Sequence, residues 1–460
     1  MQNKCISMLR RKIETEIEAY LKSGSNKMLV VDGARQTGKS YIIRHIGRRL
    51  FQNYIEINME ADKQNDRLFE NATSVDKFVF ALSSIAGDNM KGRKDTLVFI
   101  DEIQAYDHLL TLAKFLMEDG RFTYIASGSL LGVTLKNTQS VPVGSLNILH
   151  MYPLDFEEFM WANGVGTLAM DNMREQFMNM RALPAEQHAM VMNLFRIYLL
   201  VGGLPDAVNT YISEHNIAKV RGVQRDIHTL YVQDAVKYER EASRKLKIKR
   251  IYDMVPSNLE NRKKRVVVKN IEGKVGKRTS SYQDEFDYLV SAGITLEADA
   301  ISQPSYPLVR NAGKNLLKLY MNDTGIFTGI LYNNNIKPVL EDRTGINLGA
   351  VYENVVAQEL KAHGFKLYYY DNKSNGEVDY LIDDTLNLTT IPLEVKSGKD
   401  YTVHSALDKF LKIRDYRIKR AFVLSNEREV FVKEGITYIP VYYIMFFNYD
   451  ADVDNADLFF

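Results

Sequence analysis

The chain has 460 residues, 45% of them apolar and 25% charged, with 59 basic against 58 acidic side chains and a formal net charge of +1. That length exceeds what one hydrophobic core organises and predicts two to four domains, while the balanced charge excludes a uniformly basic nucleic-acid coat, so any polyanion site has to be a local patch. A lone cysteine, Cys5, excludes an intrachain disulfide and any dependence on an oxidising compartment.

At the N-terminus Arg10, Arg11 and Lys12 are followed by acidic residues rather than by the apolar core of a signal peptide. The most apolar stretch, Ile439–Phe447, is short and contains Pro440, far from membrane-spanning length. A cytoplasmic protein without a membrane partner is the expectation.

Apolar segments at Met28–Val31, Tyr54–Ile57, Thr96–Ile100, Phe122–Ala126 and Leu146–His150 alternate with helical or mixed stretches, the pattern of a parallel sheet covered on both faces. The first segment runs into Gly33, Ala34, Arg35, Gln36, Thr37, Gly38, Lys39, Ser40 and Tyr41, a Gly-x-x-x-x-Gly-Lys-Ser loop that opens a helix over Lys39–Arg49. Glycines at its two ends allow successive backbone amides to converge on a phosphate, the lysine reaches the β and γ oxygens, and the serine hydroxyl ligates Mg²⁺. The third segment ends in Asp101 and Glu102, which places one carboxylate by the magnesium and the second where it polarises an attacking water. A hydrolytic glutamate there argues against a P-loop kinase. The fourth leads into Ser127 and Ser129; either a hydroxyl meets the γ-phosphate or the lytic water from a strand lying between the other two, or these serines cap the following turn.

From Tyr152 to Arg250 the periodicity turns helical, with Met192, Phe195, Leu199 and Leu200 on one face of a helix stopped at Gly202–Pro205, as expected of a helical lid. Residues 251–344 hold a short helix, a basic segment, a helix at Tyr282–Ala292 and strands at Thr295–Ala300 and Leu316–Met321, an order that predicts a winged helix. Arg262, Lys263, Lys264, Arg265, Lys269, Lys274, Lys277 and Arg278 form the densest positive stretch. It is either a phosphate-backbone contact for nucleic acid or a solvated loop, and no aromatic residues are interleaved for base stacking.

Beyond Gly345 a helix to His363 precedes strands at Lys366–Tyr370, Glu377–Ile382 and Thr390–Val395, a helix at Ser405–Ile413, and strands at Arg420–Leu424 and Thr437–Val441. Glu394 and Lys396 project from one face of a strand because they are two residues apart. With Asp379 on the neighbouring strand and Glu353 on the leading helix, the carboxylates can share Mg²⁺ or Mn²⁺ and Lys396 can lie beside a metal-bound water. A surface salt bridge is the competing reading of Glu394 and Lys396.

These motifs, together with Tyr152–Phe159, Lys318–Gly325 and Leu393–Ser397, resemble across the whole length a group of prokaryotic AAA+-type predicted ATPases with a C-terminal PD-(D/E)XK, or restriction-endonuclease-like, domain. The resemblance implies ATP as ligand, an α/β P-loop core over 1–151, a lid over 152–250, a winged-helix-like region over 251–344 and a nuclease-like α/β domain over 345–460. It also implies either an ATP-driven switch or motor acting on DNA, or a nucleotide-dependent regulatory or defence scaffold whose last domain is inactive. AAA+ relatives often form rings, but this group need not, which leaves a homo-oligomer open. Gly144-Ser145 and Asp155 stand where such proteins often carry Gly-Arg and a serine; if that arginine is a finger, either hydrolysis is slow or Arg121, Arg196 or a residue of another subunit substitutes.

Overall fold

The computed structural model describes residues 8–87, 90–92, 94–129, 143–237, 241–261, 264–266, 268–272, 279–333, 335–341 and 348–448. The chain divides into two units, Met8–Tyr152 with Ser291–Ile294, and Pro153–Val290 with the residues from Thr295 onward.

In the first unit β1 (Met28–Asp32), β2 (Asn53–Asn58), β3 (Thr96–Asp101), β4 (Thr123–Gly128) and β5 (Leu146–His150) form a parallel sheet in the order β2-β3-β4-β1-β5. Alternate residues serve opposite faces. Leu29, Val31, Leu97, Phe99 and Ile125 pack with Ile42, Ile43 and Ile46 of the helix Lys39–Leu50, whereas Met28, Val30, Val98, Ile100 and Ala126 pack on the other side with Leu109, Ala113 and Leu116. Each of those isoleucines contributes roughly 1.5–3 kcal/mol of burial, which anchors the helix whose first turn carries Lys39 and Ser40. β4 lies between β1 and β3, so Ser127 emerges between the phosphate loop and the Asp-Glu pair.

The second unit is built on a mixed sheet in the order β12-β13-β11-β10-β9-β8-β6-β7. Its strands are β6 (Thr295–Ile301), β7 (Ala312–Met321), β8 (Leu367–Asn372), β9 (Gly376–Asp384), β10 (Thr389–Val395), β11 (Ala421–Ser425), β12 (Phe431–Lys433) and β13 (Ile436–Pro440). The β6–β7 hairpin, expected to be the wing of a winged helix, is instead the end of this sheet, with β6 pairing parallel to β8. Leu296, Ala298, Ala300 and Ile301 are all buried; a solvent-facing wing would leave them uncovered, and joining the larger sheet removes that cost.

Three of the distinctive motifs meet in one buried hub. Asp323 caps the helix Thr324–Tyr332 by accepting from Ile326 N at 2.9 Å, and its other oxygen accepts from Gly203 N at 2.7 Å. Gly203 in turn exchanges a backbone bond with Leu154, whose N donates to Gly203 O at 2.7 Å. A Cβ on Gly203 would lie 2.0 Å from Leu154 O, so only glycine fits. Arg221, fully buried, donates to the Leu200, Gly325 and Asn333 carbonyls and ties the helix Ile217–Lys237 to this hub. Burial pushes the Asp323 carboxyl up to about 6 despite its backbone donors. Asp155, a departure from the serine of similar proteins, is the N-cap of the helix Phe156–Ala162 in a capping box with Glu158, a role either residue type fills.

Candidate functional site

Gly33 has φ 136° and Gly38 φ 97°, and a Cβ on Gly33 would lie 2.3 Å from Met151 O. The loop between them is drawn tight by Thr37 Oγ1 donating to Ala34 O at 3.0 Å. The Lys39 ammonium donates to Gly33 O and Ala34 O, both at 2.8 Å, and so stands at the mouth of the cradle. Burial lowers the Lys39 pKa to about 8, against the opposing pull of Glu102, Asp101 and Asp32. Tyr41 leaves its ring 44% exposed. Arg11 supports the loop from behind, donating to Thr37 O at 3.1 Å and to Tyr152 O at 2.7 Å.

Ser40 Oγ donates to both oxygens of Asp101, at 3.1 and 3.2 Å. Asn58 Nδ2, at the end of the neighbouring β2, donates to Asp101 at 3.0 Å, and Ser127 Oγ donates to its other oxygen. Ser129 Oγ donates to Glu102 at 3.0 Å, and Gln104 Nε2 donates to the same oxygen at 2.5 Å. The two serines therefore hold the acidic pair. Glu102 itself has φ 54°, a left-handed conformation that costs a non-glycine residue about 1–3 kcal/mol and is characteristic of functional sites. This donor set suits a divalent cation and a polyphosphate: Ser40 and Asp101 would hold Mg²⁺, and the loop amides with Lys39 would hold the phosphates.

Arg121 is not placed to act on this loop. It sits before the N-terminal end of β4, paired with Asp119 and Asp76, whereas the loop follows the C-terminal end of β1, about 20 Å away along a six-residue strand. Gly144-Ser145 likewise precedes the start of β5, so an arginine there would not reach its own chain's loop. Arg196 belongs to the second unit.

In the second unit, Glu353 on the helix Gly349–Ala362, Asp379 on β9, Glu394 on β10 and Lys396 just after it line one cavity of about 390 Å³. Asp379 accepts from Val395 N at 2.8 Å, and Lys396 Nζ lies 2.8 Å from Glu394. Glu353 and Glu394 are 3% and 6% exposed; burial first, and the nearby Asp379 charge second, push both carboxyls well above the usual range. The expected metal cluster is not assembled: among the described residues no three His, Cys, Asp or Glu side chains are arranged to hold a metal ion. Ammonium groups are there instead, Lys396 on Glu394 and Lys264 on Glu353.

Lys264 is drawn from the basic segment, as is Arg265, which pairs with Asp371 at 2.5 Å and lies 3.9 Å from Glu377. These two cations thus serve carboxylates of their own unit rather than a free polyanion surface. Arg262, Lys263, Lys274, Lys277 and Arg278 lie outside the described residues, as does the Lys269 side chain.

Residues 25–160 match the family described as an AAA domain. The chain therefore carries an AAA-type ATPase domain. Residues 192–336 and 348–444 match two domains of unknown function, DUF8612 and DUF4143. No curated protein matches. Among solved structures, the Walker-type ATPase PABY2304 of Pyrococcus abyssi is 13% identical at a TM-score of 0.44, covering 70% of this chain and 96% of its own. RuvB of Thermotoga maritima is 15% identical at 0.27, covering 62% and 87%, and PCH-2 of C. elegans 15% at 0.22, covering 33% and 45%. None of the three reaches 0.5. Among the described residues no helix is long and apolar enough to cross a membrane.

Within the first unit, Arg11 and Asn58 are site residues that the sequence motifs do not single out. Arg11 carried no signal beyond a basic cluster, since its target Thr37 is 26 residues away. Asn58 had one: it ends the strand β2, in register with Asp101.

Proposed function

We propose that the protein hydrolyses ATP with Mg²⁺ and that the nucleotide state switches the unit from Pro153 onward. The observation that carries this reading is the arrangement around Asp101, whose oxygens gather Ser40, Asn58 and Ser127 beside a loop whose lysine, Lys39, is buried and already pointed at the loop carbonyls. Lys39 and the amides of Gly33–Ser40 bind and orient the phosphates, Ser40 and Asp101 hold the metal ion, which supplies charge neutralisation when bound, and Glu102 takes the proton of the attacking water. Ser129 and Gln104 orient Glu102.

Adenine as the base is supported by the match to an AAA domain. For the C-terminal region, a restriction-endonuclease-like core is supported by the helix Gly349–Ala362, the antiparallel β8, β9 and β10, and β11 returning parallel to β10. Pairing of its carboxylates with Lys264 and Lys396 favours a switchable interaction module over a constitutive nuclease acting on DNA.

Measuring ATP turnover with and without duplex or single-stranded DNA tests both halves. Glu102→Gln is expected to keep nucleotide binding and lose turnover by about 100-fold or more. Turnover unaffected by this change would remove Glu102 from the mechanism, and DNA-stimulated turnover with metal-dependent nicking lost in Lys396→Ala would restore the nuclease reading.

A further inference from the structure

Outside the AAA domain, the cavity between Glu353, Asp379 and Glu394 has a charge problem that the chain solves by itself. Glu353 and Glu394 each leave one buried Oε2 without a hydrogen-bond partner among the described residues, and both line the cavity with Asp379. A buried acceptor left without a donor costs roughly 1–3 kcal/mol, more when charged. With Asp379 and Asp400 also lining the space, these carboxylates demand protons or cations. Lys396 is delivered by the strand β10 and meets Glu394 at 2.8 Å. Lys264 comes from elsewhere, from the turn after the helix Ala242–Glu260, where its N donates to Asn261 O at 3.0 Å.

That turn is shaped to deliver the side chain. Lys264 has φ 45°, a left-handed conformation that non-glycine residues hold only when their surroundings impose it. The next residue, Arg265, is fastened to Asp371, and Val266 N donates to Leu317 O at 3.2 Å on β7. The Lys264 ammonium lies on one Glu353 oxygen, is largely buried, and has its pKa raised by Glu353 and Asp379 against the desolvation that would lower it. A lysine brings positive charge but no ligand atom. It satisfies the carboxylates without the multiple convergent oxygens a divalent ion requires.

We infer that Lys264 is a built-in counter-ion of this cavity that competes with a divalent cation for Glu353, Asp379 and Glu394. Withdrawing it exposes a metal site. Keeping it in place holds the cavity metal-free. The inference concerns ion binding alone and stands whether or not any phosphodiester is cleaved and whether or not ATP is turned over.

The experiment is Mn²⁺ titration of the full chain by calorimetry and electron paramagnetic resonance, in an Asp101→Asn background that removes the carboxylate proposed to hold the metal ion at the nucleotide site. Lys264→Met and Lys264→Gln, both neutral but of similar length, are expected to bind one Mn²⁺ at least about ten-fold tighter than the parent, a gain of roughly 1.4 kcal/mol. Adding Glu394→Gln is expected to abolish that gain. No tightening in either variant, or a gain that survives Glu394→Gln, overturns the inference. Should neither variant fold, the parent decides: a thermal midpoint unmoved by 1 mM Mn²⁺ is expected, and a clear rise overturns it.

Discussion

Lys39 gives the nucleotide site a pH dependence whose size follows from its burial. In the unliganded protein its pKa is lowered from 10.5 to about 8, so the ammonium is mostly charged at pH 7.5 and about nine-tenths neutral at pH 9. A bound polyphosphate stabilises the charged form and returns the pKa at least to its ordinary value. Binding above pH 8 must then take up a proton, and the affinity falls as pH rises. For a return to 10.5, the apparent Kd for Mg-ATP weakens about eight-fold between pH 7.5 and 9, out of a full span of roughly 3.4 kcal/mol. Proton uptake rises over the same window from about one-quarter to about nine-tenths of a proton per nucleotide. ATP is fully ionised throughout, so its own titration does not intrude. Calorimetry in two buffers of different ionisation enthalpy, at constant free Mg²⁺, reads both quantities. An affinity flat from pH 7.5 to 9 with no proton uptake would refute the reasoning, because it would mean that Lys39 is solvated or already paired before the ligand arrives.

Gly203→Ala would drive a Cβ into the Leu154 backbone, 2.0 Å from its carbonyl oxygen; neither side can yield, and a loss of about 3 kcal/mol, or roughly 5 °C in thermal midpoint by calorimetry, is expected. An unshifted midpoint would show that the hub is not rigid. Arg121→Ala is expected to leave ATP turnover within about two-fold, since the side chain is paired on the surface with Asp119 and Asp76. A loss of several orders of magnitude would instead make it a finger acting on another copy.

The strands of both sheets other than β12 were legible as largely apolar runs bounded by polar or turn residues, and β1 and β3 are buried on both faces; β12 is a three-residue, mostly exposed strand with no such run. The phosphate loop was legible because glycine spacing, lysine and serine are local in sequence. What escaped has a common cause, in that it depends on partners far apart along the chain. Ser127 and Ser129 stood out as hydroxyls after a strand, but their acceptors, Asp101 and Glu102, are fixed only by β4 lying between β1 and β3. The basic segment looked like a polyanion contact because its charges were counted without Glu353, which lies 89 residues beyond Lys264. The β6–β7 hairpin was seen as two strands, while its neighbour β8 begins 46 residues after β7 ends, at Leu367 against Met321. Asp323 gave a local cue, an aspartate before Thr-Gly at a helix start, yet its second partner, Gly203, is 120 residues away.

A nucleotide-driven switch requires the first unit to hold a triphosphate. Equilibrium dialysis with radiolabelled ATP and Mg²⁺ measures this directly, comparing the unaltered chain with Lys39→Ala. Retention of about one nucleotide per chain at or below roughly millimolar ligand, lost in the variant, is the predicted result. Failure of the unaltered chain to retain ATP under those conditions, or equal retention by Lys39→Ala, would contradict it.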